Sequence, residues 1–303
     1  GPHGQQHWPE GHPQCGGRAQ SPIDIATGRA RPDPALPPLQ PQGYDRPETP
    51  RFTLANNGHT AVLALPPSLR LGGLPGGFAA AQLHFHWGRP GRAAGAEHLL
   101  DGHRAPAEVP GGMGRETAQG MGLGAGKGAG MAWEMGLGVE EGGWEEGWVR
   151  EMQWELRGKR VWGWEMVVGR GLGQSTSIPS FSVRDLLPPR LDRYYRYNGS
   201  LTTPPCFQSV LWTLFPQPVR VSRDQLEQLQ GSLYSTEEAE AEPQLLVDNF
   251  RAPQELNQRP VLASFPREPE GYSTGEVIAI IFGTVAGCVG LFLAVHFGAK
   301  RMR

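Results

Sequence analysis

Val277 to Phe297 is a run of 21 residues without an Asp, Glu, Lys or Arg. As a helix it would be about 30 Å long, the thickness of a bilayer core. Lys300, Arg301 and Arg303 follow it. A basic stop of this kind stays in the cytoplasm. The pattern predicts a single-pass transmembrane helix over 277–297, a cytoplasmic tail over 298–303 and a body, residues 1–276, outside the plasma membrane. A buried core helix is the competing reading, and the terminal position, length and basic flank argue against it. His296 falls at the interface end of the run and Cys288 in its middle, where it cannot join a disulfide of the outer body.

The outer placement makes two further expectations. Cys15 and Cys206 are the only other cysteines, and an even pair in an oxidising compartment reads as one disulfide. Asn198-Gly199-Ser200 is an N-x-S acceptor sequon for a glycan. The chain begins Gly1-Pro2-His3-Gly4 with no apolar leader region, so it reads as a processed chain or one missing its start.

Gly and Pro make up 72 of the 303 residues, which argues against a helical bundle and for a β-rich, loop-rich body. The formal net charge of −2 gives no electrostatic footprint for nucleic acid. Short strands broken by turn residues are expected over 20–108, with alternation from Ala79 to Trp87. One helix is expected over 222–231: Ser222 as N-cap, Gln225 completing a capping box, Leu226 and Leu229 on one face, Gly231 as its end. Residues 266–276 read as a polar stalk.

Val109 to Gln174 differs in kind. Its 66 residues hold 19 Gly, six of the nine Trp and six of the seven Met, and no His, Cys, Phe, Tyr, Ile, Asn, Asp or Ser. Neither a period of 2 nor one of 3.6 persists, and each interior Gly costs roughly 0.5–1 kcal/mol relative to Ala in a regular element. The stretch is expected to be disordered. Its residue types are those with guanine-rich codons, which suggests translated intron. A genuine interaction segment is the weaker alternative.

The chemistry is concentrated in Gln82-Leu83-His84-Phe85-His86-Trp87. On a strand, residues i and i+2 share a face, so His84 and His86 project side by side with Gln82. Two imidazoles on one face make half of a catalytic zinc site, which takes three protein ligands and keeps a fourth position open. An isolated H-x-H pair is as often a surface or core feature.

The context of this pair resolves that ambiguity. Gln20-Ser21-Pro22-Ile23-Asp24-Ile25, Asn56-Asn57-Gly58-His59, the hexapeptide at 82–87, Glu97-His98 and Ser200-Leu201-Thr202-Thr203-Pro204-Pro205-Cys206 occur in this order. Together they resemble the α-class carbonic anhydrases, over about 20–108 and 175–265, and most closely the membrane-bound members. The resemblance implies a mainly β fold: a central, twisted, mostly antiparallel ten-stranded sheet with few short helices, spanning 1–265. It implies zinc-dependent, reversible hydration of CO2 to bicarbonate and a proton, because zinc lowers the pKa of its water to about 7. His84 and His86 match zinc ligands. Thr202 matches the hydroxyl that orients the attacking oxygen, and Glu97 the carboxylate that accepts the Thr202 proton. His59 matches the proton shuttle, a task that suits imidazole. Asn57 and Gln82 line the cleft, Leu201, Val210 and Trp212 form the apolar wall for CO2, and Thr203 lies at its edge. His98 is expected to pack behind the site.

One residue departs from the family pattern at the metal itself. The family's third zinc ligand is a histidine in a run Ala-Glu-Leu-His, and here the run is Ala107-Glu108-Val109-Pro110. Glu108 matches the acid that orients that histidine, while Pro110 holds the ligand position and has no donor atom. The alternative to an active enzyme is a catalytically impaired isoform, or a mis-spliced product, lacking the third ligand.

Overall fold

The computed structural model describes residues 4–92, 94–115, 130–139, 171–237, 239–267 and 282–290, with 292, 296, 300 and 301. The chain forms two compact units, Gly1–Pro266 and Arg267–Arg303. In the first, the main sheet follows a path of ten strands. It runs from Ser175–Pro179 through Arg51–Asn56, Ala61–Ala64, Phe78–His84, Ala107–Arg115, Gly130–Val139, Val210–Val221, Tyr195–Gly199 and Leu262–Ala263 to Arg31–Pro32. Only two neighbouring pairs on this path are parallel: Gly130–Val139 with Val210–Val221, and Leu262–Ala263 with Arg31–Pro32. Short strands at Gln40–Gln42, Arg70–Gly72 and His86–Trp87 join it at the side. The mainly β, mostly antiparallel expectation therefore holds.

Local sequence accounts for several elements directly. Along Arg51–Asn56 exposed and buried residues alternate, with Phe52, Leu54 and Asn56 inward, as a half-buried strand requires. The helix Arg223–Ser232 opens with the full capping box: Gln225 N donates to Ser222 Oγ at 3.2 Å, and Ser222 N donates to Gln225 Oε1 at 2.9 Å. Leu226 and Leu229 are buried in the main core. Gly231 does not end this helix, which continues to Ser232. The break comes at Leu233, whose backbone turns extended (φ −112, ψ 147) as its side chain enters the core.

The expected disorder of 109–174 does not hold for 109–115 and 130–139, which lie in central strands. Ala107–Arg115 pairs with Phe78–His84 on one side and Gly130–Val139 on the other, and the latter pairs onward with Val210–Val221. The sheet supplies a main-chain partner on both edges, and that offsets the entropic cost of the glycines. A strand covered on both faces also needs no polar alternation, so period counting misses it. Val109 and Met113 are both buried. Residues 116–129 and 140–170 lie outside the described residues.

Two apolar clusters flank the sheet. The larger gathers Leu63, Leu83, Phe85, Trp87, Val109 and Met113, among others. The smaller gathers Ile23, Ile25, Tyr195, Tyr197, Val210 and Trp212, among others. Cys15 and Cys206 are joined in a disulfide across 191 residues of sequence. In the second unit, 282–290 is helical. Among the described residues no helix is long and apolar enough to cross a membrane. The stalk beyond Arg267 and much of 277–297 lie outside the described residues.

The disulfide closes a long loop, and closing long loops removes most entropy from the unfolded chain. Cys206→Ser should therefore cost about 2–5 kcal/mol, read from the urea midpoint of the full chain in detergent. An unchanged midpoint under non-reducing conditions would contradict this linkage.

Candidate active site

The site is built on the register between two strands and a short segment that crosses them. Ala107 pairs with Trp87, Glu108 with His86, Gly111 with Leu83 and Gly112 with Gln82. Carried between those pairs, the same register sets Pro110 opposite His84. Glu108, Pro110 and Gly112 thus alternate onto the face that carries Gln82, His84 and His86. The position matching the family's third ligand is in place on the sheet, occupied by a side chain with nothing to donate.

The two imidazoles stand edge to face, with ring centroids 5.2 Å apart. Burial, helped by the neighbouring His86, pushes the pKa of His84 down to about 3, so His84 is neutral at physiological pH. His86 Nδ1 lies 2.6 Å from the Asn249 carbonyl oxygen. A carbonyl only accepts, so Nδ1 carries a proton, and Nε2 is the nitrogen turned to the cleft side. His86 is 4% exposed. Its Nε2 has no hydrogen-bond partner and lies 3.5 Å from Glu97 Oε2, which has none either.

Glu97 and Glu108 are both fully enclosed. Glu108 Oε2 accepts from the backbone N–H groups of Glu97 (2.6 Å) and His98 (3.0 Å). Glu97 Oε1 accepts from Arg251 N at 2.9 Å. His98 Nε2 is 2.6 Å from the Tyr197 hydroxyl, which donates to Ser21 Oγ at 2.8 Å. Burial opposes charge on His98, but Tyr197 and Glu108 outweigh it and hold its pKa up at about 9. His98 thus supplies positive charge behind Glu108.

The remaining expected site residues surround this cluster. Thr202 is buried, but the expected Thr202–Glu97 hydrogen bond is not made, because Glu97 Oε2 is turned toward His86 Nε2. Leu201 and Thr203 are exposed, and the Thr203 carbonyl accepts from Cys206 N at 2.9 Å. Val210 and Trp212 lie in the smaller apolar cluster, where Trp212 Nε1 donates to the Ser200 carbonyl (3.0 Å) and its ring is 4.8 Å from that of His98. Gln82 is half-buried and lies over Gly112, where a Cβ would touch its Cγ at 3.4 Å. Asn57 and His59 are exposed on one turn, and Asn57 Oδ1 accepts from the N–H groups of His59 and Thr60. Asn198 is exposed, as a glycan acceptor must be. Gly199 beside it has no room for a side chain, since a Cβ would strike Ser21 Oγ.

Sequence reasoning missed Asn249 and Arg251. Asn249 Nδ2 donates to the carbonyls of His59 (3.0 Å) and Phe85 (2.9 Å), and its Oδ1 accepts from Trp87 N at 2.8 Å. The Arg251 guanidinium donates to Gln20 Oε1, the Ser21 carbonyl and the Cys15 carbonyl at 2.8, 2.8 and 3.0 Å. Neither sits in a local motif, and the only sequence signal was a lone Asn-Phe-Arg triplet.

The donors do not fit a three-histidine zinc centre. His84 and His86 present two imidazoles, and Pro110 ends the set there. Among the described residues, the group of three whose metal-binding atoms come within 4.8 Å of one another is His86, Glu97 and Glu108.

The sequence profile of the eukaryotic-type carbonic anhydrases matches residues 3–111 and 165–265. The gap between the two matches falls inside the glycine-rich stretch. Carbonic anhydrase 12 of Homo sapiens is 34% identical over 307 residues, covering 97% of this chain and 80% of that protein. Carbonic anhydrase 15 of Mus musculus is 36% identical over 270 residues, covering 86% and 80%. Carbonic anhydrase 6 of Canis lupus familiaris is 32% identical over 267 residues, covering 88% and 78%. With sheet, histidine strand and buried carboxylates in agreement, this chain belongs to the eukaryotic-type carbonic anhydrase family.

Proposed function

We propose that this chain catalyses the zinc-dependent, reversible hydration of CO2 to bicarbonate and a proton at the outer face of the plasma membrane. The observation that carries the reading is His86: a buried imidazole, held at Nδ1 by the Asn249 carbonyl, with no hydrogen-bond partner on Nε2. His84 and His86 are the family's zinc-binding pair, and the metal is Zn2+. Pro110 cannot complete the family's ligand set, so what can be assigned is the work of the surrounding side chains.

Their roles follow from chemistry and position. His59, on an exposed turn tied to Asn249, passes protons to bulk solvent, with Asn57 and Gln82 ordering water between. Thr202 orients the attacking oxygen, and Leu201, Thr203, Val210 and Trp212 bound the space for CO2. These partners suit a small uncharged gas that needs an apolar wall and one polar edge. Residues 277–297 anchor the chain in the lipid bilayer and leave the catalytic body outside. The disulfide supports that side of the membrane, since such bonds persist in oxidising compartments. Exposed Asn198 is the glycan site.

Two outcomes test this reading. Full-length protein in detergent, supplied with zinc, should hydrate CO2 faster than buffer in a stopped-flow indicator assay, and His86→Ala should return the rate to that of buffer. Wild-type protein at the buffer rate, or a fully active His86→Ala variant, would refute it. Pro110→His should place a third imidazole opposite His84. Zinc retention and CO2 hydration should then both rise, by about tenfold or more on the scale of metal-site substitutions. No rise in either would show that register alone does not restore the site.

A further inference from the structure

Asn249 stands between the histidine strand and the turn that carries His59. Its Nδ2 donates to the carbonyls of His59 (3.0 Å) and Phe85 (2.9 Å), and its Oδ1 accepts from Trp87 N at 2.8 Å. Phe85 lies between His84 and His86, where the strand Phe78–His84 ends and His86–Trp87 begins. The turn holds the same break. Phe85 N donates to Thr60 Oγ1 at 3.0 Å, and that hydroxyl donates to the Phe85 carbonyl at 2.6 Å. Within the turn, Gly58 N donates to Asn56 Oδ1, and the N–H groups of His59 and Thr60 donate to Asn57 Oδ1. Gly58 is left-handed (φ 81), with Leu172 where a Cβ would be. The backbone of the turn is thus pinned on both sides of His59, while His59 itself is exposed.

We propose that the Asn249 side chain is a positioning residue for proton export: it sets where His59 stands relative to the strand that bears His84 and His86. The proposal rests on the reading of His59 as the proton shuttle, and it goes beyond that reading by naming what holds the shuttle. A carboxamide meets this demand because it gives two N–H donors to two carbonyls and one acceptor to an N–H. A carboxylate of the same shape would face both carbonyls with an oxygen. An aliphatic side chain would leave all three backbone groups unanswered. Asp248, left-handed at φ 53, turns the chain just before Asn249, and Arg89 Nε anchors its carboxylate at 2.5 Å. Asn249 therefore arrives from a fixed direction, with its carbonyl on His86 Nδ1 and its carboxamide on the turn. One residue spans the imidazole at the metal side and the imidazole at the solvent side. Transfer between positioned groups depends steeply on geometry, and a misplacement of about 1 Å can cost roughly 100-fold.

The test is CO2 hydration by zinc-loaded, full-length protein in detergent, at low and at saturating imidazole buffer. At low buffer the proton leaves through His59; at saturating buffer the imidazole in solution takes it. Asn249→Asp should lower kcat about tenfold or more at low buffer, regain it at saturating buffer and leave kcat/KM for CO2 unchanged. His59→Ala combined with Asn249→Asp should be no slower than His59→Ala alone, because the second change acts through the first. A loss that persists at saturating buffer, or a double variant slower than His59→Ala, overturns the proposal and leaves the shuttle reading standing. Hydrogen exchange gives a readout that needs no turnover. The amides of His59 and Thr60 should exchange about tenfold faster or more in Asn249→Asp, with those of Arg51–Asn56 unchanged, and equal rates at His59 and Thr60 overturn the proposal. A wild-type chain no faster than buffer overturns the shuttle reading and the proposal together. If Asn249→Asp does not fold, selective 15N-asparagine labelling of the wild type decides. The Asn249 carboxamide protons should then exchange more slowly than those of exposed Asn57, and equal exchange overturns the proposal.

Discussion

A buried guanidinium has to find acceptors for its donors, and in this fold that requirement fixes where the site can be. Arg251 is 4% exposed. It satisfies itself on the carbonyls of Cys15 and Ser21 and on the Gln20 side chain, while its own backbone N–H holds Glu97. Leaving such a charge unpaired costs several kcal/mol, so these contacts are made together or not at all. The segment before it is bound as tightly. The Leu246 carbonyl accepts from Trp87 Nε1 at 2.7 Å, and Asn249 engages His86, Trp87, Phe85 and His59. Residues 246–251 thus strap the histidine strand to the chain's beginning, and the Cys15–Cys206 bond ties that beginning to the 200–206 turn.

The strap explains why the site survives the loss of a ligand as a structure, if not as a family centre. What orients His86 is Asn249, not residue 110. What holds Glu108 is the backbone of 97 and 98. What holds Glu97 is the backbone of Arg251. None of these contacts involves the Pro110 side chain. Proline is rare in a central strand because it lacks an N–H for the ladder. Here Pro110 is tolerated with Glu134 across from it in the register, and the strand continues to Arg115.

Much of this was legible in the sequence, and the parts that were not share a cause. The H-x-H spacing placed two imidazoles on one face because a strand has a period of 2, and the capping box at Ser222 was visible because its partners are three residues apart. The pairing of Cys15 with Cys206 needed only the compartment. Asn249 and Arg251 were not legible, because their partners lie far away in sequence, 162 to 190 positions from Asn249 and up to 236 from Arg251. The strands at 107–115 and 130–139 were hidden for another reason. A central strand is held by backbone bonds to its neighbours, so glycines and an absent alternation say little about it. The end of the helix at Ser232 was set by burial of Leu233, a tertiary demand that overrode the glycine signal.

Backbone and side chains answer differently to the change at residue 110. Register is kept by the main-chain pairing of the neighbouring residues, so Pro110, although it has no N–H to give, arrives opposite His84 as a histidine would. Ligation depends wholly on side-chain identity, so it fails there. Buried carboxylates need polar partners or counter-charge, and this face supplies both: backbone N–H groups hold Glu97 and Glu108, and Glu108 faces His98. His98, with its pKa held at about 9, supplies part of the counter-charge behind Glu108. Arg251 and Arg104 supply positive charge near Glu97. The divergence at 110 thus removes one donor and leaves the polar frame around it in place.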